Sequence, residues 1–593
     1  RFYGKNVTIM DDCDNTSVNE AAVRDVEDSD AVVYEGESDE DQPEWAVSRS
    51  KTATALDAND ESRVTLSLPS AEEKLSSDIV FVLDTSDCVG EVMGEVKDLV
   101  VRLKEAQEKN NADIKVGVVV FKGSALPMFD GTLVGVNKAE AELTEMIQAV
   151  SEADSTSAKE NVVLEYLNAD EADKDFIYKG SNLHSGLLGA QKLLQTDDAV
   201  DASRKYVVTV TDGMTYYWND KEGNVYAVYN DELNNPNLEE SDSTNWHKVN
   251  CLFYVWQSAY SIGEGYKLPS SDFDWDIYIS GVRDRIAVDG DQYVSDLRQV
   301  YEKTGATSYS GVRYFEGGNP DKENDPEHSK NPIITFKKAG FQYIPLGEGS
   351  EHALGVERSV VACLDTYQEM VNAGYQCYTV NPDYHDMTTF PGLFTAKLNE
   401  MADVEAQVNF DDISEAILYV VGAGSKVYDT MGDAFKFGGL DSMVLTVGDG
   451  TPFKSVIDVT NQNVAYFGAK DDEHDIGSSN YRFKVTYDPE MDAFEWTFNE
   501  HITNFARVQL TYTVELVNRE TRSGTYEVPT NGDTYLYPVS SDGKEGAPLD
   551  FESPKVSYTV SRPHHPTTPS TPTVEIPDED ALGLNTDDHF AYI

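Results

Sequence analysis

Residues Asp78-Ile79-Val80-Phe81-Val82-Leu83 are an apolar run rich in β-branched and aromatic side chains, and the run ends in Asp84-Thr85-Ser86-Asp87-Cys88. Such a run reads as a strand buried on both faces of a parallel sheet. Val92, Val96, Leu99, Val100 and Leu103 then share one helical face. A strand of this type followed by a helix points to an α/β fold with a doubly wound, mostly parallel sheet. It also sets an Asp and a Ser at the carboxyl end of a strand, where open α/β sheets hold their ligands.

Two later stretches point to the same edge. Residues 205–212 (Lys-Tyr-Val-Val-Thr-Val-Thr-Asp) form another apolar strand ending in Asp, followed by Gly213. Gly180-Ser181-Asn182 opens a helical pattern with Leu183, Leu187, Leu188 and Leu194. Two carboxylates with two hydroxyls suit a hard divalent cation such as Mg2+, which takes oxygen ligands, keeps waters and leaves a position for a ligand's carboxylate. In this order the three stretches resemble the von Willebrand factor type A domain and its metal-ion-dependent adhesion site (MIDAS). The family pattern is Asp-x-Ser-x-Ser, then a Thr, then an Asp. The resemblance implies Asp84, Ser86, Ser181 (where Thr is usual) and Asp212 as metal ligands. It implies Mg2+ as the cation, with Mn2+ or Ca2+ as alternatives, and a target whose acidic group completes the shell. Cys88 stands where the pattern has its last Ser. A thiol is soft and a poor Mg2+ ligand, so either water fills that position or the site is weak. The other reading makes Asp84 and Asp212 polar strand ends that cap helices.

At 593 residues the chain calls for several domains. Its 106 acidic against 46 basic residues argue against nucleic acid as a partner, because phosphate binding needs Lys and Arg. The same balance argues against docking on anionic lipid, and no run approaches a membrane span, so no direct membrane insertion is expected. Five cysteines are too few for a disulfide framework, and no Cys-x-x-Cys occurs. Cys363 and Cys377 are close enough in sequence to bridge, or are two buried thiols. The chain opens at Arg1 in polar sequence, so a secreted protein would be presented here without its signal.

In chain order, residues 1–45 are an acidic segment with little apolar periodicity. Residues 46–76 hold two strands, at 48–55 and 64–68, without partners before the type A region begins. That region spans 77–422, with strands at 114–121, 133–136 and 376–380 and helices at 137–150, 351–373 and 413–420. It carries an insertion at about 214–350 rich in Tyr, Trp, Asn and Asp. The insertion is a recognition surface or a subdomain that packs its own aromatics inside. The acidic clusters 321–325 and 471–475 lack the Gly and terminal Glu of an EF-hand loop and read as solvated loops.

Residues 423–561 read as an all-β, antiparallel β-sandwich. Residues 508–516 alternate as a half-buried strand should, with further strands at 481–487, 494–498, 535–539 and 556–560. Residues 46–70 are expected to supply edge strands, so that the type A domain is inserted into the sandwich. This layout resembles Gram-positive surface and pilus-tip adhesins with a type A domain inserted in a collagen-adhesin-like sandwich. Such sandwiches often carry a self-formed Lys–Asn isopeptide bond. Its pattern is a Lys on the first strand, an acidic residue on a later one, and an Asn near the last. Lys51 in Ser-Lys-Thr-Ala, Asp429 in Lys-Val-Tyr-Asp-Thr-Met-Gly-Asp and Asn531 in Val-Pro-Thr-Asn match, with Asn518 as a competing Asn. Burial lowers an amine's pKa and raises a carboxyl's. A neutral amine then attacks the carboxamide, the protonated acid polarises it, and ammonia leaves. The other reading is a surface or half-buried ion pair, with Asn531 a turn residue beside Gly532.

Residues 562–577 are a Pro/Thr-rich linker, extended and semi-rigid. Residues 578–593 resemble the opening of an S-layer homology domain, which implies attachment to a cell-wall polymer through a region beyond Ile593. Together these resemblances imply an extracellular adhesin on the surface of a Gram-positive-type bacterium, not an enzyme beyond the intramolecular bond. Its partner would be a host or matrix protein or glycan bearing an acidic group. One alternative is a structural surface or pilus scaffold with a degenerate metal site. Another is a carbohydrate-active enzyme in the insertion, since glycosidases need only two carboxylates.

Overall fold

The computed structural model describes residues 45–85, 90–167, 181–228, 274–290, 294–296, 353, 355–382 and 390–561. Ser86, Cys88, most of the 214–350 insertion, the 321–325 cluster, the N-terminal acidic segment up to residue 44, and the linker and S-layer-like stretch from 562 lie outside the described residues.

The chain begins with two strands, β1 (Ser50–Ala53) and β2 (Glu61–Leu68), that pair antiparallel. It then enters an α/β lobe. There β3 (Ser77–Asp84), β4 (Ile114–Phe121), β5 (Lys205–Val210) and β6 (Gln376–Val380) lie in the order β6–β5–β3–β4, all parallel. Two short strands, Ala125–Pro127 and Val134–Gly135, run antiparallel against β4, so the sheet is mixed. All eight residues of β3 are buried, because helices cover both faces of a parallel sheet. The Val92–Asn110 helix buries Val92, Val96, Leu99, Val100 and Leu103, the stripe expected from the sequence. It stops at Asn111 in the left-handed region (φ 52), where Asn is tolerated. The Leu183–Leu194 helix is capped by Asn182, whose side chain accepts the Ser185 N–H at 3.1 Å. It lies flat on β3 and β4 because Gly186 has no Cβ: one placed there would meet Val82 at 2.7 Å and Phe121 at 2.9 Å.

Three helices have no sequence signal of comparable strength. Thr156–Tyr166 lacks a one-sided apolar stripe. Trp275–Asp289 leaves Ile277 and Val288 exposed. Phe390–Met401 opens on Phe-Pro-Gly, which reads as a break although Pro is tolerated in a first helical turn. From the insertion, the strands Trp218–Asn219, Val225–Val228 and Val294–Asp296 form a small antiparallel sheet.

The chain leaves the α/β lobe through the Phe410–Leu418 helix and returns to β structure. Here β7 (Lys426–Met431), β8 (Ala493–Phe498), β9 (Val508–Leu516) and β10 (Asn531–Tyr537) belong to two antiparallel sheets. One runs β1–β2–β9 and on to Val444–Val447 and Phe453–Lys454. The other contains Phe483–Asp488, then β8, β7 and β10 side by side. β2 pairs with β9 from Glu61↔Glu515 to Leu68↔Val508, although more than four hundred residues separate them. Val64, Leu66, Leu510 and Val514 of the first sheet share one core with Val427, Phe494, Trp496 and Leu536 of the second. The strands expected at 481–487, 494–498, 508–516, 535–539 and 556–560 sit within a few residues of their expected bounds, whereas β7, Val444–Val447 and Phe453–Lys454 had no expected bounds.

Candidate functional site

Three titratable or amide side chains meet in the middle of the two-sheet core. Lys51 is the inward residue of β1, with exposed Thr52 beside it. Asp429 points inward from β7 between Val427 and Met431. Asn531 opens β10 and is 1% exposed. The pairing of β7 with β10 shifts register between Asp429↔Thr534 and Met431↔Asn531. Thr430 on β7 thus faces both Gly532 and Asp533 on β10. This bulge turns both Asn531 and Thr534 inward, which plain alternation forbids. Gly532 is held by packing: a Cβ there would meet the Thr430 hydroxyl at 2.5 Å. The Asn-Gly pair is therefore a strand start, not a turn.

Lys51 Nζ donates to Asp429 Oδ1 at 2.6 Å and to Thr534 Oγ1 at 2.8 Å. Thr534 Oγ1 in turn donates to Asp429 Oδ1 at 2.8 Å. Asn531 Nδ2 donates to Asp429 Oδ1 at 3.0 Å and to the Tyr512 hydroxyl at 2.8 Å. Tyr512 donates to Asp429 Oδ2, and Thr530 Oγ1 donates to Asn531 Oδ1 at 2.8 Å. The Lys51 and Asp429 side chains are both 0% exposed, so the half-buried ion pair is not what is seen. Burial pushes the Lys51 amine below its ordinary pKa, and the Asp429 charge opposes this. Burial pushes the Tyr512 phenol well up, and Asp429 adds to it, so the phenol stays a donor. The rings of Phe494 and Phe437 stand edge-on to Tyr512, with centroids 5.0 and 6.0 Å away, and wall the set off. Asn518 is exposed and donates to the Asp433 carbonyl, apart from this cluster.

Tyr512, Thr530 and Thr534 carry no signal as isolated residues. Tyr512 was legible only as an inward position of an alternating strand. The two threonines depend on the β10 bulge, which no sequence period announces.

At the carboxyl edge of the α/β sheet, Asp84 ends β3 and is 8% exposed. Leu83 lies beside Val210 in the register of β3 and β5, so Asp84 and Asp212 leave adjacent strands. Asp212 Oδ1 accepts the Met214 N–H at 2.7 Å. Ser181 Oγ donates to the Met214 carbonyl, and the Ser181 carbonyl accepts the N–H groups of Tyr216 and Tyr217 at 3.1 and 3.2 Å. Gly213 (φ +84) passes Pro391 so closely that a Cβ would sit 2.5 Å from its carbonyl oxygen. These bonds fix the 212–217 turn against Ser181. Two carboxylates and a hydroxyl are hard oxygen donors, and they suit a hard cation. Among the described residues, no group of three or more His, Cys, Asp or Glu is arranged to hold a metal. Cys363 and Cys377 are both buried free thiols, and burial pushes the Cys363 thiol far up.

A two-sheet antiparallel lobe with a buried Lys–Asp–Asn set, interrupted in sequence by an α/β lobe, is the class these observations define. Residues 421–557 match the family model of the Ig-like domain of GBS104-like tip pilins. Over that segment the chain is similar to a domain of pilus tip proteins. No curated protein matches. Among solved structures, the chain aligns with the open conformation of the pilus adhesin SpaC from Lactobacillus rhamnosus GG at 12% identity, 86% of this chain, 47% of that chain and TM-score 0.30. It aligns with the adhesive tip pilin GBS104 from Group B Streptococcus agalactiae at 14% identity, 86% and 91% coverage and TM-score 0.24. The pilus adhesin RrgA from Streptococcus pneumoniae aligns at 13% identity, 85% and 65% coverage and TM-score 0.24. The chain spans about half the length of SpaC.

Proposed function

We propose that the chain is a bacterial cell-surface adhesin of the pilus-tip kind, in which a type A domain is carried by a β-sandwich locked by a Lys51–Asn531 isopeptide bond. The observation that carries the lock is the solvent-free cluster of Lys51, Asp429 and Asn531, drawn from three strands of two sheets. A proton passed from Lys51 to Asp429 leaves a neutral amine. Its lone pair forms a bond to Asn531 Cγ, and the carbonyl π pair moves to Oδ1. When the carbonyl re-forms, Nδ2 takes a proton from Asp429 and leaves as ammonia. Nζ returns one proton to Asp429. The product is a secondary amide between the sheets. Intact mass spectrometry is expected to find the chain one ammonia lighter than its sequence, and Lys51→Ala is expected to restore the full mass. An unchanged wild-type mass would remove the bond.

In the α/β lobe, the same reading gives Asp84, Ser86, Ser181 and Asp212 the task of holding a divalent cation, Mg2+ first. The cation would supply a coordination position for an acidic group of a host protein or glycan. The Met214 N–H held by Asp212 Oδ1 and the Ser181 hydroxyl held by the Met214 carbonyl orient these two side chains before any ligand arrives. Calorimetric titration of Mg2+ and Mn2+ into the metal-stripped chain is expected to give saturable binding that Asp212→Ala loses. No binding in either chain would favour a scaffold with a degenerate site, and would leave recognition to the 214–350 region. Attachment to a cell-wall polymer through an S-layer homology region belongs to the same proposal.

A further inference from the structure

The attacked carboxamide is held at both ends by groups the Lys–Asp–Asn pattern does not include. On the nitrogen side, Asn531 Nδ2 is shared between Asp429 and Tyr512. On the oxygen side, Thr530 Oγ1 lies 2.8 Å from Asn531 Oδ1. Thr530 is 0% exposed, so no water competes for that oxygen from its side. Among the described residues, the other acceptor within reach of this hydroxyl is the Pro554 carbonyl, at 3.2 Å. That carbonyl already takes the Thr530 backbone N–H at 3.0 Å. The shorter bond directs the hydroxyl proton to Asn531 Oδ1.

This oxygen is where charge develops. As Nζ bonds to Cγ, Oδ1 changes from a carbonyl oxygen to an alkoxide. A fixed donor in a dry, low-dielectric site stabilises that charge more than it stabilises the neutral amide. We propose that Thr530 is a catalytic residue of the cross-link, the oxyanion donor to Asn531 Oδ1. The inference rests on the isopeptide reading above. Thr530 gives up no proton and gains none in the balance of the reaction: it holds Oδ1 while the C–N bond forms, and releases it when the carbonyl re-forms and ammonia departs. Tyr512 acts through another group. Its hydroxyl donates to Asp429 Oδ2 and accepts from Asn531 Nδ2. It thereby positions the leaving nitrogen beside the acid that must protonate it. The amide orientation is thus set twice, with nitrogen toward Asp429 and oxygen toward Thr530.

The test is the rate of ammonia loss in the full-length chain. Synthesis in a cell-free system is stopped at a fixed time, and intact mass is followed through the chase. Thr530→Ser and Thr530→Ala both lose the methyl group and differ only in the hydroxyl. T530S is expected to react within a few-fold of wild type, and T530A to react about 100-fold more slowly, the range seen when one oxyanion donor is removed. Equal protease resistance of K51A and K51A/T530A, in which no bond forms, separates the rate effect from a folding defect. Equal rates for T530S and T530A would overturn the role of Thr530 while leaving the isopeptide bond in place. A slow T530A whose K51A/T530A counterpart is also protease-sensitive would reduce Thr530 to a packing residue and overturn the proposal. A wild-type chain that never loses ammonia would overturn both.

Discussion

Asp78 shows what a single buried carboxyl does to stability. It is fully buried on β3, and among the described residues neither carboxyl oxygen has a hydrogen-bond partner. Burial, with Asp197 and Asp113 adding and Lys115 and Lys205 opposing, pushes its pKa up to about 7. An unfolded carboxyl ionises near ~4. Between about 4 and about 7 the folded state therefore binds more protons than the unfolded state, and stability falls as pH rises through that window. His184 works in the opposite sense. Its Nδ1 accepts the Asn219 N–H, and burial pushes it down to about 4, so its contribution rises from about pH 4 to about pH 6.5. Asp78→Asn removes only the first effect. The difference in Tm between D78N and wild type is expected to grow in favour of D78N from about pH 4 to about pH 7 and then level off. A pH-independent difference would reject this assignment. Neither residue announced its role. Asp78 opened the apolar run and His184 carried no signal within the leucine-rich helix, because burial depends on what packs across from them.

At the scale of elements, the close approach of the Leu183–Leu194 helix to β3 and β4 rests on Gly186. Gly186→Ala forces its Cβ onto Val82 and Phe121, branched or rigid side chains that are themselves enclosed. Overpacking of this kind costs about 1–3 kcal/mol. Urea unfolding is expected to show a loss in that range, and an unchanged midpoint would mean the helix can lift at little cost. β1 illustrates the complementary case. It has four residues, pairs only with β2, and lies at a sheet edge. A strand so short has few ladder bonds of its own, which gives a reason for its one inward residue to be tied to the opposite sheet. The α/β strands were legible because their apolar runs are continuous, and the main helices because their apolar stripes are long and one-sided. The Phe390–Met401 helix and the β10 bulge were not, since each breaks the local rule and is held by its neighbours.

For the molecule as a whole, the two crossings between lobes converge on residues 502–507, the short strand Ile502–Thr503 and the turn after it. Arg507 donates to the carbonyls of Ser70 and Glu73 on the outgoing crossing. Asn504 donates through its side chain to the Ile417 carbonyl at 2.9 Å and through its backbone to Leu418 at 2.9 Å on the return. From the α/β lobe, Arg204 is 2% exposed and donates to Leu75 O at 3.1 Å and Asn504 O at 2.6 Å, with Glu73 at 3.4 Å. Beside it lies a cavity of about 390 Å3 lined by Arg204, Tyr206, Tyr378 and Tyr419. Phe505 of the 502–507 segment, 1% exposed, packs into the α/β core under the Arg204 guanidinium. Arg204→Ala is expected to speed limited proteolysis of residues 69–76 and to broaden the scattering profile in solution, while leaving the ammonia loss expected of the proposed cross-link as in wild type. Unaltered cleavage would place the rigidity in the two chain crossings themselves.

The sequence by itself determined the two kinds of structure and their order. Continuous apolar runs require burial on both sheet faces, and alternating runs require burial on one. The resemblance to isopeptide-bearing sandwiches pointed to Lys51, Asp429 and Asn531, and the residues themselves left Asn531 divided between a turn and a core position. Tertiary structure decided that division. Only the pairing of β2 with β9, across the whole α/β lobe, and the register shift between β7 and β10 enclose the three groups in one dry volume. The strength of a charge, and the reactivity of an amine beside an amide, depend on that enclosure, and no local sequence window contains it.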